Sequence, residues 1–371
     1  MSPPFAILGP ACVALLAAGC SDPSAGRAGA GSGAAMDAAP RSSAPVVDAA
    51  VAPLAPDAAA TAGKAGTMRI SIDPPRQRGH AIAARCALEG DPLDGDYSHA
   101  RLSIAAASDG ALYVADSAGV RRYRAKAGAP CALAIDASFG SAGVLAIPEI
   151  EPPPQTVGGG ALYFQSGGRN WALAAGPRGT VYLHDLLRGV RRVDRGKVEA
   201  TCPALQGVMS LVFVGQQAYI ERNGGERLAI GSCKTTPARL KPASPRTLHG
   251  AGGALWGEID SDTLVRYGGS GTQTTIESLD AFEPGGFCTI TALAGCGDGL
   301  CVVDSNCIKI ARYDLTGSFV RELDGAILFD DRPTSITGAA TAADGALWIA
   351  ATHKDGEHVE GAIYLVPTAA M

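Results

Sequence analysis

Long apolar runs are missing from this 371-residue chain. The run Phe5–Ala18 has 14 residues, short of the roughly 20 that cross a bilayer as a helix. Helical periodicity is missing as well: beyond residue 67 no stretch carries a convincing helical repeat of apolar residues, which excludes a helical body. Charge of one sign is not in excess. Lys and Arg total 31 against 36 Asp and Glu, a formal net charge of −5, which argues against nucleic acid as a main partner. Motifs of catalysis are absent too: there is no G-x-S-x-G elbow, no HExxH, no P-loop and no EF-hand. Each of those motifs places a nucleophile, a metal or a phosphate by fixed spacing, so none of those chemistries is announced here.

What is present divides the chain into three parts. Residues 1–20 read as a targeting segment, set aside before fold reasoning. The segment ends in Leu15-Leu16-Ala17-Ala18-Gly19-Cys20, which resembles the lipobox of bacterial lipoproteins. The resemblance implies that the Cys20 thiol receives a diacylglycerol. Met1 to Pro4 hold no Lys or Arg, and Ala17 stands where the lipobox usually has Leu; an ordinary cleaved signal peptide is the alternative. Residues 21–66 are almost wholly Ala, Gly, Pro, Ser and Asp, without one aromatic. Such a composition buries too little apolar area to offset its ordering entropy, and reads as a disordered tether. Its reach is about 40 Å. Residues 67–371 are the folded body, long enough for a large core.

The chain has 10 cysteines, many for a cytosolic protein and ordinary for an exported one. Setting aside Cys12 and Cys20 leaves Cys86, Cys131, Cys202, Cys233, Cys288, Cys296, Cys301 and Cys307. An even set fits disulfides, but connectivity does not follow from sequence. Cys296 and Cys301 flank the turn Gly297-Asp298-Gly299, and Cys202 and Cys233 bracket one repeat, so both are candidate pairs. A metal cluster at 288–307 is disfavoured, because those cysteines lack the C-x2-C knuckle of zinc sites.

That repeat is the strongest signal in the body. DGALYVADSAGVRRY at 109–123 returns as RGTVYLHDLLRGVRRV at 178–193, and degraded copies follow. Each copy has a small-residue run, a Gly-containing turn and an apolar strand with an anchor: Tyr113, Tyr182, Tyr219, Trp256, Cys301 and Trp348. The anchors are spaced 69, 37, 37, 45 and 47 residues apart. Apart from the first gap, which holds an insertion, that is the period of four-stranded propeller blades. DG turns join antiparallel strands, and a single such sheet cannot bury its faces alone. The runs SIAAAS, WALAAG, TLHGAG, ITALAG and ITGAAT read as innermost strands, where blades crowd the axis. The expected fold is all-β, a six-bladed β-propeller of four-stranded antiparallel blades. The paired arginines Arg121-Arg122 and Arg191-Arg192 read as solvated strand faces.

The phrase DGALYVADSAGVRRY resembles the NHL-type repeat, and the likeness covers about residues 100–366. It implies six blades, with an N-terminal strand completing the last one. Arg69–Asp73 and Ala84–Leu88 are the candidates for that strand. Six-bladed propellers include lactone hydrolases, lyases and pure binding modules, so the fold does not decide the function. In the lactonases and lyases a divalent cation sits in the axial channel, and loops entering the innermost strands supply its ligands. Here those loops carry His99, Asn170, Arg246, Glu283, Asp331 and Arg332, with Asp96, Arg169, Gln206 and Asp330 nearby. A mixed ring of this kind suits recognition of a protein or an envelope polymer. The expectation is a monomeric, lipid-anchored, non-catalytic binder of the bacterial cell envelope, without cofactor. The alternative is a metal-assisted lactonase or lyase holding one calcium or magnesium, with His99, Glu283 and Asp331 as metal or acid–base residues.

Other chemical side chains read as structural. Asp116, Asp185 and Asp304 sit three residues after an anchor and suit turn initiation. Trp171 reads as core and His184 as a turn residue. His353 and His358 flank the hairpin tip Lys354-Asp355-Gly356-Glu357 and read as solvated, and Asp91, Asp94 and Asp96 as an acidic turn.

Overall fold

The structure, a computed structural model, describes residues 82–94, 102–147, 171–276 and 290–371, with short interruptions at 117, 186–188, 195, 204, 223–224, 241–244, 261–262, 269–272 and 306. Cys20, the tether and Arg69–Asp73 lie outside the described residues. The described body is almost wholly β. Its longest helix is the single turn Gly325–Leu328, capped by the Asp324 carboxylate, which accepts from the Ala326 N–H.

Among the described residues six sheets are present, each built on an antiparallel meander in chain order, with N-terminal strands added to the last and the first. Their first strands are Ser103–Ala106, Ala172–Ala175, Ser210–Val214, Thr247–Ala251, Ile290–Cys296 and Ser335–Thr341. These six are neighbours in succession, and the sixth packs beside the first. The sheets are the blades of a six-bladed β-propeller.

The repeated phrase is explained by how blades stack. Side chains alternate across a strand, so each blade offers one face to the preceding blade and one to the next. Tyr113, Tyr182, Trp256, Cys301 and Trp348 all lie in apolar clusters shared with the following blade, Trp348 meeting the first. Trp256 is fully buried between the fourth and fifth blades. An aromatic side chain there buries about 150–250 Å², so the anchor is the main interblade contact. The turns recur as well. In both Asp109-Gly110 and Asp344-Gly345 the carboxylate accepts from the N–H two residues on, and each glycine takes a positive φ that only glycine adopts freely.

Innermost strands have no partner on their axial side, and buried N–H groups there need acceptors. Side-chain hydroxyls of neighbouring blades supply them. The Leu173 N–H donates to Ser103 Oγ at 3.1 Å, and the Leu248 N–H to Ser210 Oγ at 3.0 Å.

Ring closure uses Ala84–Leu88, one of the two expected segments. Ala84 and Arg85 pair antiparallel with Leu365 and Tyr364 as the fourth strand of the last blade. Two residues on, Ala87 and Leu88 pair in parallel with Ala132 and Leu133 of the first blade. Disulfides join Cys86 to Cys131, Cys202 to Cys233, and Cys296 to Cys301. Cys307 is disulfide-bonded as well, and Cys288 lies outside the described residues.

Three local readings are corrected. Arg121 is not on a solvated face: it is 4% exposed and ion-paired with Asp116 at 3.1 Å, because the third strand is covered by Asp91 and Pro92, whose carbonyls accept from its guanidinium. Asp116 also starts its turn as expected, accepting from the Ala118 N–H. His184 is buried within the strand Val181–Asp185 instead of sitting in a turn. Leu93 and Asp94 form a short strand against Gly361 and Glu360, so that stretch is more than an acidic turn.

Candidate functional site

All six innermost strands line one axial channel of about 340 Å³. Beside alanines and Gly250, its lining is Ile104, Leu173, Leu211, Val212, Phe213 and Leu293 with the polar residues His249, Thr291 and Thr341. Small residues are required where six strands converge. A Cβ on Gly250 would lie 2.8 Å from the Phe213 carbonyl oxygen, so blades three and four touch there through backbone.

Among the described lining residues one side chain is ionisable, His249. It lies opposite Trp256, and Glu258 lies opposite Thr247, so alternation puts His249 and Glu258 on one face of the fourth blade. Glu258 Oε2 is 3.9 Å from His249 Nε2, beyond hydrogen-bond reach. His249 Nε2 is buried and accepts or donates no hydrogen bond within the protein. A buried polar atom without a partner costs about 1–3 kcal/mol. Sequence reasoning missed this residue. The signal was the imidazole inside TLHGAG, the one titratable group in the five small-residue runs.

Three of the six candidate residues are described. Arg246 is exposed just before the fourth innermost strand, its N–H donating to the Glu258 carbonyl at 2.6 Å. Arg332 is exposed and donates to the Cys307 carbonyl at 3.2 Å. Asp331 is 78% exposed, with Oδ2 3.4 Å from His353 Nδ1. None of the three lines the channel. His99, Asn170 and Glu283 lie outside the described residues.

The structure thus joins Asp331 to a histidine read from sequence as solvated. His353 is half-buried, and its Nε2 lies 2.6 Å from Tyr364 Oη. Ala351 and Ala362 form the pair between them, leaving room for the phenol to lie along the sheet. Burial lowers the His353 pKa, only partly offset by Asp331. Burial also pushes the Tyr364 phenol up to about 12. At neutral pH the pair is an uncharged imidazole bonded to an uncharged phenol.

Among the described residues no group of three or more His, Cys, Asp or Glu could hold a metal ion. None of their helices is long and apolar enough to cross a membrane.

No family model matches the chain, and no curated protein matches it. Solved structures do. It is similar to a streptogramin B lyase structure at 13% identity, over 76% of this chain and 97% of that one, with a TM-score of 0.45. It is similar to regucalcin, a calcium-binding protein from Agrobacterium tumefaciens str. C58, at 11% identity over 76% and 97%, with a TM-score of 0.46. A putative oxidoreductase (glucose dehydrogenase) of Thermus thermophilus follows at 14% identity over 76% and 99%, with a TM-score of 0.43.

Proposed function

We propose that this chain is a non-catalytic lipoprotein of the bacterial cell envelope, an NHL-type propeller that binds another protein or an envelope polymer. Cys20 carries the lipid, and residues 21–66 hold the propeller off the membrane. The disulfides suit an oxidising compartment. One observation carries the reading. The polar candidate side chains that are described, Arg246, Asp331 and Arg332, stand exposed at the loops entering the innermost strands, while no Asp, Glu, Lys or Arg among the described residues lines the channel below them. Met209, 55% exposed, stands in the corresponding loop of the third blade. Exposed Arg and Met gathered at these loops have the make-up of a protein-recognition surface.

The test is photo-crosslinking in native envelopes from positions 209 and 246, with position 126 on the opposite side of the first blade as control. A discrete adduct from both rim positions, absent from the control and lost in an Arg246→Glu, Arg332→Glu variant, supports the reading. Adducts no different from the control overturn it. Purified protein carrying about one divalent ion per chain and opening lactones would establish the metal-assisted alternative. Unchanged membrane partitioning of Cys20→Ala would remove the anchor.

A further inference from the structure

We infer that residues 82–94 form a redox-sensitive strap across the seam between the last and first blades. An external dithiol, of the Cys-x-x-Cys class found in thiol–disulfide oxidoreductases, releases the strap by reducing Cys86–Cys131 while the blades stay folded. This goes beyond rim recognition and does not depend on it.

The path of the segment comes first. The N–H groups of Ile82 and Ala83 donate to the carbonyls of Ile327 and Leu328. Ala84 and Arg85 then pair with the last blade, Ala87 and Leu88 with the first, and Leu93 and Asp94 with the last blade again. The segment crosses one seam twice, and each of its three strands is only two residues long. Residues 84, 85, 87 and 89–92 are exposed. Short ladders with exposed backbone sit at the low end of local stability and open without the rest of the fold.

The sulfurs differ in the same direction. Where both cysteines of a bond are described, Cys296 and Cys301 are each 0% exposed. Cys202, 1% exposed, ends the six-residue strand Lys197–Cys202, and its bond to Cys233 joins blades that are already consecutive in the chain. Cys131 is half-buried on the strand Ala129–Ile135, whose outer neighbour is the strap itself. Lifting Ala87 and Leu88 from that strand opens the way to the Cys131 sulfur.

The exchange balances. A thiolate of the dithiol attacks Cys131 Sγ, the bond to Cys86 breaks, and Cys86 leaves with the electron pair and takes a proton. The second thiolate attacks the mixed disulfide and releases Cys131, which is protonated in turn. Two electrons and two protons pass to the protein, and the dithiol ends as a disulfide. Freed, the strap bares the outer edges of His358–Val366 and Ala129–Ile135, and a bare edge is a template for an added strand.

The test is native reduction of the oxidised full chain by dithiothreitol, with N-ethylmaleimide labelling read by peptide mass spectrometry. Cys86 and Cys131 should label about tenfold faster than Cys296 and Cys301, and faster than Cys202 and Cys233, with the circular dichroism unchanged. Amide exchange should rise about tenfold at Cys86 and Glu89, whose N–H groups donate to the Ile363 and Leu133 carbonyls. It should stay constant at Leu248, whose N–H is held by Ser210. A Cys-x-x-Cys protein with its second cysteine replaced by serine should be trapped on Cys131. Equal or faster labelling of another bond overturns the inference. So does labelling only with loss of the circular-dichroism signal, unchanged exchange at Cys86 and Glu89, or trapping on Cys86 instead. The variant combining Cys86→Ser and Cys131→Ser should show the faster exchange without reductant, and if it fails to fold, the wild-type labelling and exchange decide alone. Crosslinking at the rim is read on the oxidised chain, so failure here and failure of the rim reading are separable.

Discussion

Cys86 is bonded to Cys131 across 45 positions of chain, at the point where one short segment touches two blades. On one side of Cys86, Ala84 pairs with Leu365 in the last blade; on the other, Ala87 pairs with Ala132 in the first. A propeller ring is weakest where its ends meet, and here the crossing is one short stretch of backbone, Ala84–Leu88. The disulfide fixes that stretch to the first blade. Loop-closure entropy for this separation is about 4 kcal/mol, against about 2 kcal/mol for Cys296–Cys301 with its short loop. Replacing Cys86 and Cys131 by alanine should therefore lower the free energy of unfolding by about 4 kcal/mol. Urea titration under non-oxidising handling measures it. A loss no larger than that of the Cys296, Cys301 double variant, once its buried sulfurs are allowed for, would sink the idea of a latch.

Arg121 and Asp116 form a pair with side chains 5% and 0% exposed. Removing one member of a buried pair strands the other's charge, at about 3–5 kcal/mol. Arg121→Met is expected to cost that much. It should also loosen residues 91–92, whose carbonyls Arg121 holds, seen as faster amide exchange at Leu93. If Arg121→Met alone is as stable as the wild type, the pair is not a structural lock.

The ring was legible from sequence because its cause is local. Each blade needs the same turn and the same anchor facing the next blade, so Tyr113, Tyr182, Trp256 and Trp348 repeat in sequence for the reason they are buried in space. The bonds Cys202–Cys233 and Cys296–Cys301 were legible because both are short in sequence, the first bracketing one copy and tying the second blade's last strand to the third blade, the second closing one hairpin. What stayed hidden depends on contacts between distant segments. Arg121 looks solvated until residues 91–92 are laid over it, and His353 looks like a hairpin-tip residue until Tyr364 reaches it at 2.6 Å. His249 was obscured by its small-residue setting, which announced an innermost strand and gave no sign of Glu258, 3.9 Å away on the neighbouring strand.

Burial lowers the pKa of His353 from 6.5, which fixes the sign of a pH effect. The unfolded chain binds this proton more readily than the folded one, so stability rises with pH through the window below 6.5 and is lost as pH falls. The melting temperature should drop between pH 6.5 and about 5, before most carboxylates protonate. His353→Gln, which keeps a hydrogen-bonding group near Tyr364, should flatten that slope. Melting curves on both proteins at matched ionic strength test it, and identical slopes would exclude His353 as the titrating group.

Ser103 and Ser210 do one job at two places, each accepting a buried N–H from the next innermost strand. An unbonded buried amide costs about 1–3 kcal/mol, while the serine side chain itself buries little area. Ser103→Ala and Ser210→Ala should therefore each destabilise by about 1–3 kcal/mol, more than a surface Ser→Ala. Lying at separate seams, the first between blades one and two and the second between blades three and four, they should act additively within about 0.5 kcal/mol. Amide exchange locates the effect: Leu173 should lose protection in the first variant and Leu248 in the second, each without the other. Simultaneous loss at both amides in either single variant would mean that the hydroxyls act through the whole ring and not at one interblade seam.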